Sequence, residues 1–304
     1  MFFLLQRIAW MLLTLWIVFT VSFFLMRFVP GGPFDSEKKV PDAVKRNLEK
    51  RFRMDQPLWR QYLESLGNVA RLDFGDSMRL EDFTVNQIIH AGFPVSASLG
   101  ILALEFALLL GLVAGVLSAT WRNSLADILL MSAATLGIAV PNFILASLAV
   151  VFFVFWLHLL PAAGWGRIDQ LILPALCVGA PYAAYIARLT RAGMLETLNL
   201  DYVRTAYAKG LSPRTVILRH ALRGALLPVV SYVGPATAGI LTGSLVLERI
   251  FNIAGLGSHF IDAATQKDYT LVMGLVMVYT FLLCVMNLLA DLSYAIIDPR
   301  VKVE

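Results

Sequence analysis

Immediately after Arg7 the chain runs for nineteen residues, Ile8 to Met26, without one charged side chain. A helix at the surface of a soluble domain is amphipathic and does not sustain such a run, whereas a bilayer core of roughly 30 Å needs about 20 apolar residues as a helix. The pattern recurs: stretches near residues 8–28, 95–119, 128–157, 171–189, 225–247 and 271–297 have the length and apolarity of membrane spans. Composition agrees, with 58% of the 304 residues apolar and 15% charged, against roughly 45–50% and about 25% in soluble domains. Lipid offers no partner to a backbone N–H or C=O, and an α-helix satisfies both internally. The expected fold class is therefore an all-α integral membrane protein with six transmembrane helices. Pro141, Pro174, Pro181, Pro228 and Pro235 fall inside the spans and predict kinks. The first apolar run is long for a signal peptide and no small-residue cleavage pattern follows it, so it reads as a retained helix.

Orientation follows from lysine and arginine in the short loops. With an even number of spans, one side collects Arg7, Arg122, Arg191, Arg204, Lys209, Arg214, Arg219, Arg223, Arg300 and Lys302, and the other only Arg167, Arg249 and Lys267. Both termini are expected in the cytoplasm. Three regions follow: residues 1–29 as an N-terminal transmembrane helix, 30–94 as a periplasmic segment, and 95–304 as a five-helix core containing a cytoplasmic loop over 190–224. The periplasmic segment carries ten basic and ten acidic residues and is neutral. Pro41 and Pro57 open short helical runs in it, towards Met54 and Leu66. Its mixed charge suits a solvated small domain or a docking surface for an extracytoplasmic partner.

Within 190–224, Asp201 reads as an N-cap, the following eight residues suit a two-turn helix, and Gly210 suits a left-handed stop. Ser212-Pro213 is a second N-cap with proline at the first helical position. A longer basic helix then carries Arg214, Arg219 and Arg223 towards Pro228. Two readings stand side by side: a basic loop that happens to be helical, and a rigid helix presented to a cytoplasmic partner.

The string DYVRTAYAKGLSPRTVILRHALRGALLP (201–228) resembles the cytoplasmic coupling loop of the binding-protein-dependent ABC transporter permeases, in their di- and oligopeptide group. FVPGGPFD (28–35), RMDQPLWRQYLESL (53–66), LDFGDSMR (72–79), FPVSASLG (93–100), GSLVLERIFNIAGLG (243–257), DYTLV (268–272) and YAIIDPR (294–300) resemble that group's pattern in the same order. The resemblance covers essentially the whole chain and is strongest to the B-type permease subunit. Departures are local. Arg204-Thr205-Ala206 stands where the wider permease pattern has Glu-Ala-Ala, Leu227-Pro228 comes later than its Leu-Pro, and Ala254 replaces a proline of the periplasmic signature.

The resemblance implies a type I ABC-importer core in the cell inner membrane, moving oligopeptides. It implies as partners a second homologous permease, two ATP-binding subunits and a periplasmic or lipid-anchored peptide-binding protein, with no nucleic acid involved. ATP and magnesium would be held by the partner subunits and no cofactor by this chain. Asp201, Tyr202, Val203, Arg204, Thr205, Ala206, Ala208, Lys209 and Gly210 would form the coupling helix, with Tyr202, Val203 and Ala206 as contact side chains.

The residues themselves are consistent with a non-enzymatic subunit. The sequence has no Gly-x-x-x-x-Gly-Lys-Ser/Thr phosphate loop. His90, His158, His220 and His259 are scattered without ligand spacing, and Cys177 and Cys284 both lie in apolar spans. Glu105, inside the second span, is a candidate for the translocation path, for pairing with another helix, or for a protonated carboxyl. Glu248-Arg249 reads as a salt-bridged loop or a gate. Gly111-x-x-x-Gly115 and Gly239-x-x-x-Gly243 permit close helix approach. A self-sufficient secondary transporter or channel is the alternative class, for which internal repeats and paired membrane carboxylates would be expected; a membrane scaffold or receptor is another.

Overall fold

A computed structural model of the chain describes residues 2–34 and 41–297. The described residues form helices and turns, with one isolated bridge between Asp76 and Thr84. In order the helices are α1 (Phe2–Phe28), α2 (Asp42–Arg51), α3 (Leu58–Ala70), α4 (Val85–Thr120), α5 (Leu125–Ala139), α6 (Asn142–Ala149), α7 (Ile168–Thr197), α8 (Asp201–Ala208), α9 (Pro213–Thr215), α10 (Leu222–Ala225), α11 (Leu227–Gly243), α12 (Leu245–Ile250), α13 (Leu256–Gln266) and α14 (Tyr269–Ile297). Pro41 and Pro57 directly precede α2 and α3. The terminal motif over 298–300 lies outside the described residues.

Four helices are long and apolar enough to cross a membrane singly: α1, α4, α7 and α14. The fifth expected span begins at a 56° break between Pro213–Ala225 and α11. The third, expected as one helix over 128–157, is instead a broken pair. α5 and the stretch Asn142–Trp156, which is α6 prolonged by a π-helical turn, meet at 115°. Pro141 is the cause. It lacks an N–H, and its ring drives Val140 into extended geometry (φ −89°, ψ 126°), so the helix cannot run on.

The chain forms two compact units. One comprises residues 1–96 and 254–285. Its core joins Phe19 and Phe23 of α1 to Met273 and Met277 of α14, with Tyr62 of α3 packed on them. Arg27 does not reach outward as its place near a span end predicts. It lies 3.5 Å over the Phe23 ring and donates to Gln61 Oε1 at 3.0 Å. Asp268, 1% exposed, is a second organising point. Its carboxylate accepts from the Ser77 hydroxyl, from Arg79 N (3.3 Å), from Thr270 Oγ1 (2.9 Å) and from Leu271 N (3.0 Å). The LDFGDSMR and DYTLV motifs are thus parts of one hydrogen-bonded joint.

The other unit comprises, among the described residues, 97–253 and 286–297. Glycine sets how closely its helices approach. A Cβ on Gly111 would lie 2.7 Å from Ala183 O, one on Gly115 2.6 Å from Ala187 O, and one on Gly179 2.5 Å from Ala103 O. The Gly111-x-x-x-Gly115 pair therefore seats α4 on α7 within the chain. Residue 103 of α4 meets 179 of α7 and residue 115 meets 187, so the two helices run parallel. α5 runs the other way along α7, with Gly137 beside Ala184 and Asp127 paired with Arg191. Parallel α4 and α7 require the intervening chain to return from one end to the other, and the broken α5–α6 pair makes that return.

Candidate functional site

Residues 201–215 fold as two short helices joined by a tight turn. Leu200, extended at φ −75° and ψ 149°, occupies the N-cap, so Asp201 is the first helical residue and not the cap expected from sequence. There its carboxylate lies near the positive end of the helix and 3.6 Å from Arg204. The stop is as the sequence predicts. Gly210 has φ +78°, its N–H donates to Tyr207 O at 2.9 Å, and Leu211 N–H reaches Ala206 O at 3.4 Å. These are the two bonds of a Schellman termination. Ser212 then caps α9, its Oγ accepting from Thr215 N at 3.4 Å ahead of Pro213.

Two of the expected contact side chains face inward. Val203 is fully buried and Ala206 is 5% exposed, both packed with Val216 and Leu198. In a two-turn helix the apolar positions i and i+3 must cover something, and Val216 is what they cover. The exposed face carries Asp201, Arg204, Thr205 and Ala208, with Lys209 beyond it. Tyr202 and Tyr207 flank it, and the Tyr202 hydroxyl points to His220 O at 3.4 Å.

The turn is mounted on the spanning helices. Met194 of α7 packs with Ala221 and Ala225, and a Cβ on Gly193 would lie 2.7 Å from Ala225 O. Through Val216, α8 packs on the helical stretch that precedes α11, and that stretch packs on the end of α7. At the same end of α7, Arg191 holds Asp127 of α5 bidentately, with both N–O distances 2.9 Å. Asn123 N (2.9 Å) and the Ser118 hydroxyl complete that carboxylate's shell, tying the end of α4 into the joint. Sequence reasoning missed this pair because its members lie 64 positions apart. The available signal was one carboxylate and one arginine at the ends of neighbouring expected spans.

The remaining candidates stand apart from α8. Glu105 is exposed on α4 and, among the described residues, has no hydrogen-bond or ion-pair partner. Glu248 is buried in α12, its Oε1 accepting from Ser244 Oγ at 2.6 Å, while Arg249 beside it is exposed. No group of three His, Cys, Asp or Glu among the described residues could hold a metal ion.

Residues 111–303 match the family described as "Binding-protein-dependent transport system inner membrane component". The oligopeptide transport system permease protein OppB of Haemophilus influenzae is 44% identical over 302 residues, 99% of each chain. The dipeptide transport system permease protein DppB of Bacillus subtilis is 43% identical over 302 residues, 99% of this chain and 98% of that one. Among solved structures, a methionine ABC transporter, MetNI, crystallised in inward-facing conformations, has a similar fold. Its TM-score is 0.53 at 18% identity, over 67% of this chain and 94% of that one. Fold and spans together define an all-α, multi-pass membrane protein. The chain belongs to the family of inner membrane components of binding-protein-dependent transport systems, and it is the membrane-spanning permease subunit of an ABC importer.

Proposed function

We propose that this subunit carries oligopeptides across the cytoplasmic membrane. It works there with a second, homologous permease, two ATP-binding subunits and a periplasmic or lipid-anchored peptide-binding protein. The peptide assignment rests on the relatives, which are named as oligopeptide and dipeptide permeases. ATP and magnesium belong to the ATP-binding subunits in this reading, and ATP hydrolysis takes place there.

Residues 201–210 are the contact that couples hydrolysis to movement of the spans. The single observation that carries this is the construction of α8: closed at its C-terminal end by Gly210, anchored by Val203 and Ala206, and presenting Asp201, Arg204, Thr205 and Ala208 outward. Glu105, a carboxylate on a spanning helix without a partner among the described residues, meets water or the second permease, because lipid cannot solvate it.

Gly210→Val tests the coupling role. A Cβ at Gly210 meets nothing within 4 Å, so the substitution acts only through its positive φ. The variant is expected to insert normally, while the reconstituted complex hydrolyses ATP without matching uptake. Uptake per ATP equal to wild type would remove the coupling assignment.

A further inference from the structure

On α7, Tyr182, Tyr185 and Arg188 follow one another at i, i+3 and i+6 and so descend one side of the helix. Tyr232 of α11 lies against them, its ring 5.6 Å from that of Tyr185. The Tyr182 hydroxyl abuts α11 at Gly239, where a Cβ would come within 2.6 Å of it. Among the described residues none of the three phenol hydroxyls has a hydrogen-bond partner, and Arg188 has neither a hydrogen bond nor an ion pair. The contrast with Arg191, one turn on and held bidentately by Asp127, is sharp. Tyr185 is 44% exposed and Arg188 is exposed, and they open with Met131, Leu189, Arg191 and Ala192 onto a hollow of about 480 Å³.

Hydrocarbon cannot satisfy three phenols and a guanidinium on one face of two spanning helices, so this face is turned from lipid towards water, a polar solute or the second permease. Its chemistry is specific. Phenol hydroxyls donate and accept, matching both the N–H and the C=O of a peptide backbone. Tyrosine rings take apolar side chains without selecting among them. A free guanidinium pairs with a carboxylate through two parallel hydrogen bonds. The geometry points to a substrate-contacting stripe on α7 and α11, in which Tyr182, Tyr185 and Tyr232 support an extended peptide and Arg188 takes its C-terminal carboxylate. This rests on the peptide reading given above.

The test uses the complete transporter in proteoliposomes, with Cys177 and Cys284 of this chain replaced by alanine. Tyr185→Cys is expected to react with a membrane-impermeant thiol reagent at least about tenfold faster than Leu129→Cys, which lies on the exposed leucine stripe of α5. Trialanine supplied with ATP is expected to slow the reaction. Equal rates at 185 and 129 would overturn the water-lined stripe. Separately, Arg188→Gln is expected to lower trialanine uptake about tenfold and Arg188→Lys to recover part of it, since lysine restores the charge but not the bidentate fork. Retained labelling at residue 185 in the Arg188→Gln background shows that the variant is folded. If the wild-type complex takes up trialanine and Arg188→Gln does so equally fast, the assignment of Arg188 fails alone. If the wild type takes up no peptide at all, the peptide reading fails and the role of Arg188 fails with it.

Discussion

Thr190 shows how tightly single positions are constrained where α4 meets α7. It is fully buried, its Cβ would lie 2.5 Å from a Cβ on Gly115, and among the described residues its hydroxyl has no hydrogen-bond partner. A buried hydroxyl without a partner costs about 1–3 kcal/mol in lost hydration, and valine has nearly the same shape without that cost. Thr190→Val is therefore expected to leave the thermal unfolding temperature of the purified protein unchanged or raise it by a few degrees; a marked drop would mean that the hydroxyl is satisfied in the assembled protein. Residue-scale features were readable in the sequence where the rule is local. Gly210 and Ser212-Pro213 behave as their types demand because turn and cap geometry involve only a few neighbouring residues. Asp201 was misplaced by one position, since an N-cap is fixed by backbone angles and here Leu200 takes the extended ones. The Tyr182–Tyr185–Arg188 spacing was in plain view, but its meaning depends on Tyr232, fifty positions away on another helix.

α8 is amphipathic in a way that separates two roles. Its buried side holds the turn together and its exposed side is free for a partner. Val203→Ala removes packing against Val216 and Leu198 and is expected to cost about 2 kcal/mol of local stability. Hydrogen exchange across residues 198–216 measures that loss. Arg204→Glu reverses a charge on the exposed side and breaks its exposed pair with Asp201, and is expected to change that exchange far less than Val203→Ala does while lowering uptake by the complex. If both substitutions loosened the turn equally, the division of faces would be wrong. Hydropathy found the apolar elements but not their shape. It counts residues and does not see that Pro141 forces Val140 to be extended, so one expected span is two segments at 115°. The inward direction of Val203 and Ala206 was hidden for a similar reason: periodicity marks an apolar face without naming what it covers.

At the scale of the whole molecule, motifs distant in sequence prove to be halves of the same joint. Ser77 and Arg79 meet Asp268, and Asp127 meets Arg191, across 191 and 64 positions. Asp268→Ala removes the acceptor of the Ser77 hydroxyl and of the Leu271 N–H, while Thr270 Oγ1 keeps Asp76 O and Arg79 N keeps Ser77 Oγ, and is expected to destabilise the protein by about 2–4 kcal/mol. Denaturation in detergent measures this, and a loss below about 0.5 kcal/mol would show that water replaces the carboxylate. The all-α character and the apolar spans were legible because lipid imposes one solution on the backbone. The joints were not, because side-chain pairing between helices leaves no periodic trace. The central claim is that the exposed face of α8 docks on an ATP-binding subunit. The most direct test places a photo-crosslinking residue at Ala208 in the native complex. A covalent product between this chain and an ATP-binding subunit is predicted, absent when the same group is placed at Val203. A product with no ATP-binding subunit, or equal products from both positions, would contradict it.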